Sequence, residues 1–194
     1  MKSTETINLY DLQTRIAADD QAALKGLYEL FSKKLHYLAF SFVRSNEVAE
    51  EIVEDVFINV WKQREKLPHI ENFGWYLYVS TKNTSYSYLR KSNKEHCINL
   101  DELSLPYLKL DTNPEDIMVS NEAIQRINLA INNLPPKCRH IFKLVKEDGL
   151  KYKQVAELLD INIKTVENQM GIALKKIHSS ILIAPKDNIR FSQK

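Results

Sequence analysis

The chain has 194 residues, 44% of them hydrophobic and 27% charged, with four Gly and a net charge of +2. That length holds one large domain or two small ones with real cores, and so small a net charge does not by itself mark a nucleic-acid binder. No secretory signal opens the chain and no apolar run is long enough for a helix to span a bilayer, so no membrane insertion is expected. The long segments carry apolar residues at three- and four-residue intervals, and none shows sustained strand-like alternation. The expected fold is all-α: two small helical bundles joined by a flexible linker, the second ending in a helix-turn-helix.

Cys97 and Cys138, the two cysteines, have no CxxC or zinc spacing around them, which predicts a reducing, cytoplasmic setting. His96-Cys97 is not read as a metal site, because nothing near it supplies further ligands. Charge is unevenly spread. Residues 1–91 carry 12 basic and 12 acidic side chains, residues 92–113 two and four, and residues 114–194 thirteen and nine. The carboxy-terminal part is the cationic one.

In chain order, a short helix is predicted over Leu9–Ala18. Asp20 before Gln21-Ala22-Ala23 is a helix start, since its carboxylate accepts hydrogen bonds from the first unpaired amides. Leu24, Leu27, Tyr28, Phe31, Leu35, Leu38 and Phe42 form one face of a long helix ending near Val43. Arg44-Ser45-Asn46 breaks the pattern. A third helix runs from about Glu47 to Lys66 and is stopped by Pro68. Ala49, Ile52, Val53, Val56, Val60 and Trp61 give it an inward stripe, while Glu47, Glu50, Glu51, Glu54 and Asp55 crowd another face. Like charges at this spacing repel by a few tenths of a kcal/mol each (~0.2–0.5). The face is either simply solvated or an acidic docking surface for a basic partner.

A fourth helix, from about Asn72 to Arg90, holds Phe73, Trp75, Tyr76, Tyr78, Tyr86 and Tyr88 among Lys82, Asn83, Arg90 and Lys91. Aromatics at helical spacing usually build core. Interleaved with cations, they also hold unstacked single-stranded bases, each stack contributing about 1–3 kcal/mol. Residues 92–113 lose helical periodicity and read as a linker. Asn113-Pro114-Glu115-Asp116 opens a helix to about Asn133, Leu134-Pro135-Pro136 forces a turn, and a helix from Pro136 to about Asp148 ends at Gly149.

The segment Lys151 to Gln169 then reads as a helix-turn-helix. Val155, Ala156, Leu158 and Leu159 face inward on its first helix, Ile161 fills the turn, and Val166, Met170, Ala173, Leu174 and Ile177 continue the stripe on the second. Lys164, Thr165, Glu167, Asn168 and Gln169 point outward from the turns that enter the major groove in this motif. Lys175 and Lys176, further along, suit phosphates. The domain limits expected are 9–91, 92–113, 114–183 and a tail over 184–194. An enzyme has little support: no Gly-rich phosphate loop, metal spacing or nucleophile–base arrangement stands out, and the carboxylate pairs Glu50-Glu51 and Glu54-Asp55 read as surface charge rather than acid–base groups. A free-standing helix-turn-helix regulator with a dimerising or ligand-sensing first bundle stays an alternative.

From about Leu9 to Ile181 the sequence resembles the extracytoplasmic-function sigma factors, minimal initiation subunits with sigma regions two and four. Asp20-x-x-Ala23 with Leu27-Tyr28-x-x-Phe31 resembles the start of region two. Ala49-Glu50-Glu51-Ile52-Val53-Glu54-Asp55-Val56-Phe57-x-x-Val60-Trp61 resembles its polymerase-binding helix. Asn72-Phe73-x-Trp75-x-Leu77 through Asn83 and Leu89-Arg90 resembles the melting and −10 segment. Leu134-Pro135-Pro136-x-Cys138-Arg139-x-Ile141-Phe142, Gly149-Leu150-x-Tyr152 and Thr165-Val166-Glu167-Asn168 resemble region four.

The resemblance implies several roles. Glu50, Glu51, Glu54, Asp55, Phe57 and Trp61 would dock on core RNA polymerase, at the β′ clamp helices, with the β subunit as a further contact. Trp75, Tyr76, Lys82, Asn83, Tyr86 and Arg90 would meet the opened −10 strand of promoter DNA. Lys164, Thr165, Glu167, Asn168, Gln169, Lys175 and Lys176 would serve the −35 element. It also implies an anti-sigma factor as partner, and neither cofactor nor metal. The sequence departs from the family pattern at Lys151, where Ser or Thr is usual, and at Asp160, where Gly is common. Gly171 and Ile172 stand in place of a small polar residue and often Arg, and Ser87 in place of Asp or Asn. A 22-residue linker spans about 25 Å as a flexible chain and about 75 Å when taut. That is enough to tether readers of two elements little more than one duplex turn apart, at about 34–36 Å per turn.

Overall fold

The computed structural model describes residues 8–92 and 121–182. The predicted linker beyond Ser92, the helix entry at Asn113–Asp116, the His96-Cys97 pair and the tail lie outside the described residues. The chain divides into two compact units, residues 1–98 and 99–194. All regular structure among the described residues is helical.

In the first unit, α1 spans Leu9–Ala17, α2 Gln21–Val43, α3 Asn46–Lys62 and α4 Phe73–Lys91, with a 3-10 segment over Arg64–His69 between α3 and α4. Each α-helix begins at a side chain able to accept from the first amides. Asn8 Oδ1 accepts from Tyr10 N–H at 3.0 Å, Asp20 Oδ1 from Ala22 and Ala23 at 2.8 and 3.1 Å, and Asn72 Oδ1 from Trp75 at 3.0 Å. Ser45 Oγ accepts from Val48 at 3.3 Å and donates to Glu47 Oε2 at 2.7 Å. The Arg15 guanidinium, together with the Ala23 amide, holds the Asp20 carboxyl below the usual carboxylate range.

The long helix α2 is the centre of this unit and packs against both α3 and α4. Leu27, Leu35 and Leu38 of α2, Ile52 and Val56 of α3, and Leu77 and Tyr78 of α4 are buried. Each large aliphatic side chain so buried contributes about 1.5–3 kcal/mol. Gln13 of α1 is buried too, and its amide donates to the carbonyls of Leu67 at 2.6 Å and Ile70 at 3.0 Å. One side chain thereby satisfies a carbonyl of the 3-10 segment and that of the residue after it, and pins the segment to α1.

Three expectations change here. The third α-helix stops at Lys62 rather than Lys66, and the chain tightens into the 3-10 segment that contains Pro68. Proline disfavours α geometry for Leu67 and offers no amide to Arg64. Trp61 is half-buried rather than part of the inward stripe. Tyr28 is 40% exposed, its ring lying 4.9 Å from that of Phe57.

In the second unit, α5 spans Asn121–Asn132, α6 Pro136–Lys146, α7 Tyr152–Leu158 and α8 Ile163–Leu182. The predicted start of α5 at Pro114 lies outside the described residues. Pro136 occupies the first turn of α6, where its missing amide costs nothing. Arg139 Nη1 donates to the Asn132 carbonyl at 2.7 Å, closing the end of α5. After α6, Gly149 has φ +72°, and Leu150 N–H reaches back to the Leu144 carbonyl at 3.0 Å. That left-handed turn is the capping role expected of a glycine. Ile141, Val155, Leu158, Leu159, Val166, Met170 and Ala173 form the core.

Gly171 lies inside α8, and a Cβ built there meets nothing within 4 Å. Gly171→Ala should therefore raise the stability of this unit by about 1 kcal/mol, read as a higher urea midpoint with an unchanged slope.

Candidate nucleic-acid interface

The helix-turn-helix is closed by local chemistry. Lys151, the N-cap of α7, has no acceptor on its side chain, but Gln154 Oε1 accepts its backbone N–H at 2.9 Å. Half of a capping box thus survives the loss of the Ser or Thr. In the turn, Asp160 takes φ +51°, a conformation that Asp tolerates better than most side chains. The cap of α8 is Asn162, whose Oδ1 accepts from Lys164 N–H at 2.8 Å while its carbonyl accepts from Thr165 at 2.8 Å. The predicted reading turns begin directly after it.

Lys164, Glu167, Asn168, Lys175 and Lys176 are exposed on α8, while Thr165 and Gln169 are half-buried. Lys164 Nζ and Glu167 Oε2 pair at 2.9 Å, an exposed contact that a phosphate can displace cheaply. Gln169 sits towards the core: its backbone carbonyl accepts from the buried Cys138 thiol at 3.2 Å, and burial pushes that thiol up. Leu174 corrects the inward stripe; it is 49% exposed. Lys175 and Lys176 share an open cavity of about 460 Å³ with Ala130, Asn133, Ile172, Ser179 and Ser180.

On α4, Asn83 and Arg90 are exposed, while Trp75, Tyr76, Lys82 and Tyr86 are half-buried. The expected division between core and surface falls inside the aromatic cluster: Phe73 and Tyr78 are buried. Phe73 and Tyr76 stack at 6.1 Å, and Tyr86 meets Phe42 edge-on at 5.3 Å. Lys82 Nζ lies 5.5 Å from the Tyr86 ring centroid. Asn83, Tyr86, Ser87 and Arg90 line a cavity of about 330 Å³, where Arg90 Nη2 donates to Ser87 Oγ at 3.2 Å. Ser87, legible only as a departure from pattern, lies beside Asn83 and Arg90 at this cavity. Tyr76, Asn83 and Arg90 are seven residues apart, so they share a line along the helix with about 10 Å between neighbours. Trp75 stands two turns from Asn83.

On α3, Glu50, Glu51, Glu54 and Asp55 are exposed, and none has a hydrogen bond or ion pair among the described residues. Glu51 and Asp55 line a cavity of about 400 Å³ with Thr84, Ser87, Tyr88 and Lys91 of α4. Phe57 is the exception in the expected docking set, because it is only 6% exposed and packs on Tyr28. Trp61 is held at the edge, its ring 4.9 Å from the Arg64 guanidinium and its carbonyl accepting from Arg64 Nη1 at 3.2 Å. No helix among the described residues is long and apolar enough to cross a membrane.

Two family profiles match the chain: Sigma-70 region 2 over residues 27–95 and Sigma-70, region 4 over residues 124–177. The first match holds the acidic and aromatic helices and the second holds the helix-turn-helix, so the chain belongs to the sigma-70 family. Among its relatives, the ECF RNA polymerase sigma-E factor of Escherichia coli (strain K12) is 26% identical over 177 residues, covering 88% of this chain and 92% of that protein. The ECF RNA polymerase sigma-E factor of Haemophilus influenzae is 26% identical over 178 residues, covering 88% and 93%. A solved structure of CnrH in complex with the cytosolic domain of CnrY is 18% identical, with a TM-score of 0.45 and coverage of 88% and 94%. Within the family the chain is an extracytoplasmic-function sigma factor with regions two and four. As such it directs promoter recognition by RNA polymerase and is not itself an enzyme.

Proposed function

We propose a division of labour among the three surfaces. The acidic face of α3 grips the β′ clamp helices of core RNA polymerase. The outer face of α4, with Asn83, Tyr86 and Arg90 at its cavity and Tyr76 and Trp75 beyond, receives the opened −10 strand. The amino-terminal turns of α8 enter the major groove of the −35 element while Lys175 and Lys176 meet phosphates, and the second unit rests on the β subunit. An anti-sigma factor that holds the chain in check, and work in the cytoplasm beside the polymerase, belong to the same proposal.

The observation that carries it is the set of four exposed carboxylates on α3. They repel one another at three- and four-residue spacing and gain nothing within the fold. A basic partner repays that arrangement by steering encounter and fixing register. Phe57 contributes from beneath, through its packing on Tyr28.

The purified chain mixed with core polymerase should give initiation at a limited promoter set and barely footprint promoter duplex alone. A chain without affinity for core enzyme that protects a symmetric duplex unaided would instead be a free-standing regulator.

A further inference from the structure

We propose that Ile172 is a base-reading residue, seated on the C5 methyl group of a thymine in the −35 element. The inference rests on the placement of α8 in the major groove proposed above. Ile172 is 41% exposed, an unusual place for a β-branched aliphatic among lysines and an asparagine. It follows Asn168 by four residues, so the two side chains lie about 40° apart around the helix. Lys175 lies about 20° to the other side of Asn168 by the same geometry. Ile163 and Leu174, the other large apolar side chains of α8 exposed among the described residues, fall more than about 100° away from Asn168 and do not share this face.

The surroundings favour a defined contact. Ile172 borders the cavity shared with Ala130 of α5 and Asn133 just beyond its end, which support one flank of the side chain. Its branched Cβ allows essentially one χ1 rotamer in a helix. On the other flank Gly171 presents no side chain, and the space where its Cβ would stand is open. The result is a fixed apolar knob between a polar reader and two phosphate-seeking lysines. The major groove is lined by hydrogen-bonding groups with one apolar exception, the thymine methyl. Ile172 lies about 6 Å along the axis from Asn168, and bases follow one another at about 3.4 Å per strand. The recognised thymine therefore falls within about two base steps of the pair met by Asn168.

The test uses the full chain with core polymerase. The −35 sequences it prefers are selected from a randomised promoter, and each thymine of the winner is replaced in turn by deoxyuridine, which removes the methyl and nothing else. One position should lose about three- to fivefold in promoter affinity, the value of one buried methyl. The Ile172→Ala variant should lose a similar factor on the thymine promoter and become indifferent to deoxyuridine there. Full deoxyuridine sensitivity in Ile172→Ala, or no sensitivity at any thymine in the parent, overturns the proposal. In either case, an Asn168→Ala variant that still shifts the selected sequence shows that the inference about Ile172 alone has failed. If neither variant changes the selection, the groove placement of α8 fails with it.

Discussion

Changing Glu54 and Asp55 together to Lys should lower the affinity of this chain for core RNA polymerase by one to two orders of magnitude, with helical content unchanged and the unfolding midpoint not lowered. Both side chains are exposed on α3 and neither is engaged within the fold among the described residues, so folding loses no contact. The helix itself gains slightly, because the reversals relieve like-charge spacing against Glu50 and Glu51 by about 0.2–0.5 kcal/mol per pair. Binding loses twice over: each reversal removes an attraction and adds a repulsion against a basic surface, which costs several kcal/mol where charges are closely juxtaposed and less at a solvated rim. A loss on the order of 10- to 100-fold lies between those limits. Glu54→Lys alone is the cleaner variant, since Asp55 shares its cavity with Lys91. Parent capture should weaken as salt rises past about 0.1 M, where screening sets in near 10 Å, and the double variant should be weak and nearly flat throughout. Titrating labelled core enzyme at two salt concentrations reads both quantities. Equal capture with an equal salt slope would remove α3 from the docking surface.

Much of this was legible in the residues because helices declare themselves through period and punctuation. Asp20, Asn72, Pro136 and Gly149 mark their boundaries by chemistry that acts within three or four residues, and the structure uses each one. What one sequence hides is decided by other segments. Phe57 falls on a helix whose neighbours are exposed acids, and packing against α2, with Tyr28 against its ring, makes it core. Leu174 continues the inward period of α8, but the stripe there is narrower than its apolar content. The end of the 3-10 segment depends on Gln13, more than fifty positions earlier, to take up the Leu67 and Ile70 carbonyls. Asn162 was visible as a capping residue in retrospect, since its side chain and carbonyl serve the amides that follow. At Lys151, where the family has Ser or Thr, Gln154 supplies a capping partner from the other side. The candidate surfaces follow the same rule: charge and residue type announce them, while the division of α4 between core and surface required the packing of α2 and α3.

Asn168→Ala should flatten sequence preference at one base pair of the −35 element and leave the fold and the other positions as they were. Asn168 is exposed in the second turn of α8 and has no hydrogen bond within the fold among the described residues, so its amide is available to a ligand. An asparagine amide both donates and accepts, which matches the N6 and N7 edge of adenine, and the loss of such a pair costs about 1–3 kcal/mol against the preferred base. At the same position the other three bases should lose little, so the affinities converge rather than fall together. Lys175→Ala supplies the contrast: a phosphate contact carries no base identity, so its loss should weaken every promoter alike and lower the salt slope by about one. Gln169, half-buried beside the Cys138 contact, should give a smaller change than Asn168 when cut to Ala. Competitive selection of randomised −35 duplexes with parent and variant holoenzymes separates these outcomes, because specificity appears as a change in the ratio of selected bases and phosphate binding as a change in yield. An unchanged profile for Asn168→Ala would mean that the exposed face of α8 meets the groove elsewhere along its length, and that the carboxy-terminal unit recognises its element through shape and charge rather than through this side chain.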